Sequence, residues 1–191
     1  TYALGVDLGT AYTCAVIARD GRTDVVQLGG TSNLIPSVVS LRDDRTILTG
    51  EAAERRAVTD PSRTVREFKR RFGDDAPYVI GGVPYGADAL VGHLLRAVLD
   101  AVAKVEGGPP TRVALTHPAD YGPFKLELLV HAAQVAGLTN PILVPEPVAA
   151  AVAYAGRAGI AAGSHILVYD LGGGTFDAAV VRVDPDGPVV V

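Results

Sequence analysis

The sequence predicts an α/β fold built on a mixed sheet. Three observations carry this. The chain opens on short apolar runs separated by tight turns, and its second half alternates apolar runs with helical stripes. Two Asp-Leu-Gly turns, each behind an apolar run, stand near its two ends. An antiparallel opening followed by strand–helix alternation is the pattern of a mixed sheet flanked by helices.

The elements follow in order. "YALGVDL", 2–8, suits a buried strand that ends on an acid. "GTAYT" turns, "CAVIA" is a second strand and "RTDVVQL" a third, with the hairpin signal Asp20-Gly21 between them. The opening is therefore an antiparallel meander. Beyond Pro36, "SVVSL" is a further strand with a turn at Asp43-Asp44. Asp60 sets a capping residue before Pro61, and Val65, Phe68 and Phe72 recur at helical spacing until Gly73, which predicts a helix there. A longer helix over about 87–105 carries the stripe Val91, Leu94, Leu95, Val98, Val102 and Val105 before "GGPP" breaks it. "RVALTHP", 112–118, is a strand closed by proline, and a helix from about Pro123 to Ala136 stops at Gly137. "PILVPEP" is a short strand and turn, and Pro147 starts an Ala-rich helix to about Ala158. "SHILVYDL" is one more buried strand, "FDAAVVRV" pairs back on it through a glycine loop, and Asp186-Gly187 turns the chain again. The stretch between about Pro36 and Pro110 reads as an insertion before the next core strand.

Composition narrows the class. A chain of 191 residues, 48% hydrophobic and 20% charged, suits one or two globular domains rather than a disordered segment. A net charge of -4 gives no basic field for nucleic acid. The single cysteine, Cys14, excludes an internal disulfide and reads as a small buried hydrophobe in a reducing, cytoplasmic compartment. His93, His117, His131 and His165 lack metal-ligand spacing. No apolar run approaches the ~20 residues of a membrane span, so no membrane partner is expected, and no signal peptide is seen. The chain has no methionine and begins at Thr1, from which we expect a fragment of a longer product.

The two turns belong to an internal repeat. "GVDLGTAYTCAVIARDG", 5–21, and "VYDLGGGTFDAAVVRVDPDG", 168–187, each run from an apolar strand through Asp-Leu-Gly into a small-residue turn, and on to Asp-Gly. The separation is too long for a solenoid and suits a duplicated domain. A glycine-rich turn exposes backbone N–H groups, because no Cβ keeps a ligand at a distance. Clustered N–H groups bind anions, phosphates above all. An Asp beside a phosphate meets like charge, and a divalent cation such as Mg²⁺, which takes oxygen ligands and keeps its waters, removes the conflict. Two such loops would grip a polyphosphate from both sides, with Thr10 and Thr175 adding hydroxyls. Against this stands a plain alternative: a tight hairpin uses glycines for geometry alone.

At this point the sequence resembles the actin-like ATPases, and within them the nucleotide-binding domain of the Hsp70/DnaK family. The motifs occur in order: "GVDLGTAYT", "IPSVVSL", "REFKRRFGDD", "VALTHPADYG", "PEPVAAAVAY" and "YDLGGGTFD". The resemblance covers essentially the whole chain. It implies a ribonuclease H-like mixed sheet, with 1–34 and 112–163 as the core of lobe I. It makes 35–111 an inserted α+β subdomain and 164–191 the start of a second lobe that is only begun. It implies ATP or ADP with Mg²⁺ as cofactors, and K⁺ as a further cation. Asp7 and Asp170 would hold Mg²⁺ largely through waters, with Asp177 ordering metal and water. Gly9, Thr10, Ala11 and Tyr12 would line the phosphates, faced by Gly172, Gly173, Gly174 and Thr175. Lys69, Glu146, Asp170 and Thr175 would be the catalytic set, and Pro118 the hinge. Taken alone, Lys69 reads as a solvated helix lysine, Glu146 as an acid favoured by a helix N-terminus, and Pro118 as a strand terminator.

Three features depart from the family pattern. Ala11 stands where a second threonine is usual, Leu126 where an arginine eight residues after the hinge proline is usual, and "HPADYGPF" lacks the aromatic-rich run. The resemblance implies a chaperone ATPase whose parent binds unfolded peptide clients and co-chaperones. A non-hydrolysing nucleotide sensor or scaffold and an actin-like filament protein are the alternatives. The apolar end "GPVVV" leaves a strand edge uncovered. We expect it to pack on, or swap with, another chain; a strict monomer in light scattering at high concentration would count against that.

Overall fold

A computed structural model describes residues 1–173 and 176–191, those at 156–158 through their backbone alone. The chain begins with β1 (Ala3–Leu8), β2 (Tyr12–Arg19) and β3 (Arg22–Val25). They form the expected antiparallel meander. Leu4, Val6 and Leu8 alternate into the core, as the pleat requires. Asp20 and Gly21 both take positive φ, 50° and 75°, the backbone of a tight hairpin turn. The third strand is shorter than the "RTDVVQL" run. After Val26 bonds back to Ala15, the chain leaves the sheet, and β4 (Leu34–Pro36) takes the remaining edge of β2, opposite Tyr12–Cys14.

Next come β5 (Val38–Leu41), β6 (Ile47–Thr49), α1 (Gly50–Thr59) and β7 (Thr64–Arg66), with the strands in the order β6-β5-β7. The helix expected between Asp60 and Gly73 does not form. Thr64 and Val65 are β-branched, stiff at χ1 and suited to a strand, and they pair with Ser40 and Val39. Glu67 then turns at φ 54°. Two 3₁₀ turns, Pro61–Arg63 and Phe68–Arg71, flank the strand. The apolar spacing still marked real burial, because Phe68 and Phe72 are both core. A hairpin unread in the sequence, β8 (Tyr78–Ile80) and β9 (Val83–Tyr85), turns on Gly81 and Gly82, both at positive φ.

α2 (Ala87–Glu106) follows, ending at Gly107 with φ 75°. Its stripe is buried from Val91 to Val102, but Val105 is 73% exposed, past the edge of the core. β10 (Arg112–His117), α3 (Pro123–Val135), β11 (Ile142–Pro145) and α4 (Glu146–Ala158) complete the strand–helix alternation. β10 pairs parallel with both β1 and β11, giving the order β11-β10-β1-β2-β3. The sheet is mixed and helices flank it, as the sequence predicts.

The chain closes with an antiparallel sheet of β12 (His165–Leu171), β13 (Phe176–Asp184) and β14 (Gly187–Val190). α4 packs on strands of both sheets. One hydrophobic cluster joins Leu4 and Leu115 of the first sheet to Leu95 of α2 and to Phe68 and Ile80. The last sheet is covered less well, and β12 is not the buried strand expected: Leu167, Tyr169 and Leu171 on it are exposed, as is Phe176 on β13.

Candidate functional site

β1 and β12 each carry an Asp near their C-terminal ends, before their glycine turns. In the first hairpin Asp7 lies opposite Cys14, and in the second Asp170 lies opposite Asp177. The register is the same in both, so the repeat seen in the sequence is a repeat of structure. Cys14 thereby occupies the position that Asp177 holds in the other hairpin. Burial pushes its thiol up, and neighbouring Asp7 adds to the rise.

Both turns face one cleft of about 400 Å³. Asp7, Gly9, Thr10, Ala11 and Tyr12 line it from one side, and Asp170, Gly172, Gly173 and Asp177 from the other. Lys69, Pro118 and Glu146 complete the wall between them. The fold thus gathers every candidate named from sequence except Gly174 and Thr175, which lie outside the described residues.

The first turn is held tightly. A Cβ on Gly9 would overlap the Tyr12 carbonyl oxygen, so only glycine fits there. Ser37 donates its hydroxyl to the Gly9 carbonyl at 2.7 Å and its amide to the Ala11 carbonyl at 2.8 Å. The Thr13 hydroxyl reaches Ser37 Oγ at 3.0 Å, and both side chains are buried. Thr116 on β10 donates to Asp7 Oδ1 at 2.7 Å, fixing that carboxylate at the cleft. The second turn comes close to the first: a Cβ on Gly173 would lie 2.5 Å from that of Ala11.

Lys69 is not a solvent-facing lysine. The 3₁₀ turn Phe68–Arg71 carries it inward, and its Nζ donates to Glu146 Oε1 at 2.9 Å. Both side chains are mostly covered, 12% and 19% exposed. Glu146 begins α4, where the helix N-terminus favours its charge. Burial pushes the Glu146 carboxyl up, Lys69 draws it down, and Asp7 and Asp170 push it up again.

Pro118 follows β10, and its carbonyl accepts from the Tyr121 amide at 3.2 Å. Tyr121 stacks on Phe72, rings 5.6 Å apart and 3° from parallel, and on His117 at 5.9 Å. Burial, then Glu146 and Asp120, raise the Tyr121 hydroxyl above its ordinary range. Lys125 also lines the cleft, its Nζ 5.0 Å from the centre of the Tyr121 ring.

The donors are carboxylates and hydroxyls, and among the described residues no three His, Cys, Asp or Glu side chains converge as a metal cluster. Such a set fits a hard cation that keeps most of its waters, with Asp7, Asp170 and Asp177 as the residues to hold it. Sequence reasoning missed Ser37, Thr13, Thr116 and Tyr121. Ser37 had a signal, a hydroxyl directly after Ile35-Pro36 and before a buried strand. The role of Thr116 depends on the parallel pairing of β10 with β1, which no local pattern announces.

Comparison with known proteins bears on this cleft. The family model described as Hsp70 protein matches residues 3–80 and 78–191. The chain belongs to the Hsp70 family. It is 33% identical over 190 residues to the chaperone protein DnaK of Endomicrobium trichonymphae, and 33% identical over 189 residues to that of Elusimicrobium minutum (strain Pei191). Each match covers 96% of this chain and 30% of the relative, so the chain spans about a third of the length of these Hsp70 chaperones. The mixed sheet with flanking helices is consistent with the actin-like ATPase fold of an Hsp70 N-terminal domain. Among the described residues of this Hsp70 chain no helix is long and apolar enough to cross a membrane.

Proposed function

We propose that the cleft binds ATP and ADP with Mg²⁺, and that the whole protein hydrolyses ATP as a cytoplasmic Hsp70-type chaperone. One observation carries the reading: two hairpins of identical register present an Asp and a glycine turn to the same cleft. Thr10, Ala11 and Tyr12 would line the phosphates on one side, and Gly172 and Gly173 on the other. Asp7, Asp170 and Asp177 would hold Mg²⁺, mainly through waters, and K⁺ is a further candidate for the same polar cleft. The cation would neutralise phosphate charge.

The remaining chemistry falls to Lys69 and Glu146. They stand side by side at 2.9 Å, a cation and an acceptor at one wall of the cleft. The lysine would meet charge on the terminal phosphate, and the carboxylate would orient the attacking water. Phosphoryl transfer of this type rests on positioning and charge stabilisation and needs no strong base.

Single-turnover hydrolysis by the whole protein, with and without Mg²⁺, tests the reading. Wild type is expected to hydrolyse ATP, and Lys69→Ala to lose about 100-fold or more in rate while still binding ADP. A second reading, a nucleotide sensor that does not turn over, draws on the contact between Ala11 and Gly173, where no second hydroxyl is present. ATP binding with equal inactivity of both proteins would select it.

A further inference from the structure

Three basic side chains line the cleft: Lys69, Arg70 and Lys125. Two already have carboxylate partners. Lys69 pairs with Glu146, and Arg70 Nε sits 3.2 Å from Glu67 Oε2. Among the described residues Lys125 forms no ion pair. The sequence contains only three lysines, and two of them line this one cleft.

Lys125 is nonetheless held in place. Its stem crosses Gly73, where an added Cβ would lie 3.3 Å from both Cγ and Cε of the lysine. Gly73 is at φ 96°, a conformation that favours glycine and leaves the lysine its track. The ammonium lies near the Tyr121 ring at 5.0 Å, an attraction that stabilises a cation without neutralising it. Tyr121 is itself fixed by stacking on Phe72, three residues after Lys69. The result is a half-buried cation with a fixed stem and an unspent charge.

We infer that Lys125 binds the terminal phosphate of the nucleotide and sets a preference for the triphosphate over the diphosphate. The inference rests on the nucleotide reading of the cleft given above. The position follows from Tyr121, which carries the Lys125 ammonium near its ring and lines one small cavity together with Lys69 and Phe72. The wall that carries Lys125 therefore adjoins the Lys69–Glu146 pair, at the end of the cleft assigned to the terminal phosphate.

Calorimetric titration of the whole protein with Mg²⁺ and either ADP or the non-hydrolysable β,γ-imido analogue of ATP tests this. Lys125→Ala is expected to weaken the triphosphate analogue about tenfold, the size of one lost charge-assisted hydrogen bond, and ADP less than about twofold. Lys125→Met keeps the stem across Gly73 and should behave as the alanine variant does. Lys125→Arg should restore most of the preference. Equal loss for both nucleotides, or no loss for either, overturns the assignment. Wild type that binds neither nucleotide overturns the nucleotide reading itself, a different outcome from these.

Discussion

Ser37 shows what a single buried hydroxyl does for the cleft. It ties the turn after β1 to the junction of β4 and β5, through the Gly9 and Ala11 carbonyls. Replacing it by alanine leaves the buried Thr13 hydroxyl and the partly buried Gly9 carbonyl without this partner. An unmade buried hydrogen bond costs about 1–3 kcal/mol, more than a made one contributes. Ser37→Ala should therefore lower the unfolding free energy by about that amount in urea titration. It should also weaken nucleotide binding, since the turn it holds lines the cleft proposed to take the phosphates. An unchanged urea midpoint would mean that backbone bonds alone hold the turn. Thr116 acts in the same way on Asp7, one residue steering another's carboxylate.

At the scale of elements, the packing of α2 on α3 gives the sharpest test. Gly92 lies in the middle of α2, where glycine costs about 1 kcal/mol of helix propensity relative to alanine. An added Cβ would lie 2.8 Å from the Ala132 carbonyl oxygen and 2.7 Å from Val135 Cβ. The carbonyl belongs to the α3 backbone and does not move aside, so overpacking of about 1–3 kcal/mol outweighs the propensity gain. Gly92→Ala is expected to destabilise the protein in chemical unfolding; a more stable variant would show that the helices separate freely. The same scale explains what the sequence revealed. β1, β2, α2 and β10 were legible because their periods are regular and their stops are glycine or proline. The segment 60–73 was misread because Val65, Phe68 and Phe72 fit a helical period while Thr64 and Val65 are claimed by pairing with β5. Pairing partners far along the chain leave no mark in a local window. The convergence of the two candidate turns on one cleft was legible for a different reason: the repeated Asp-Leu-Gly turns are local, and each carries its own geometry. Lys69 and Glu146 came only from resemblance, since their contact spans 77 residues of sequence.

For the whole molecule, the question is how two sheets bring two turns together. α4 packs on β10 and β11 at one side and on β12, β13 and β14 at the other, so one helix spans both sheets. It starts at Glu146, on the wall of the cleft, and leads to the second hairpin. The two halves then meet again across the cleft, where Gly173 faces Ala11 with no room for a Cβ. Small residues on both sides allow this close approach, and Ala11 supplies one of them. A methyl group added at Gly173 must therefore part the turns. Gly173→Ala forces its Cβ within 2.5 Å of Ala11 Cβ, and the movable body is the whole second hairpin rather than one flexible side chain. Fold stability should change little, because the turn lies outside the core, but the two glycine turns would sit farther apart. Nucleotide affinity of the whole protein should fall by about tenfold or more, the equivalent of an overpacking cost of about 1–3 kcal/mol set against binding. The double variant Ala11→Gly with Gly173→Ala restores the space and should recover most of the affinity. Failure of that rescue would show that the loss comes from the backbone of the second turn and not from its approach to the first.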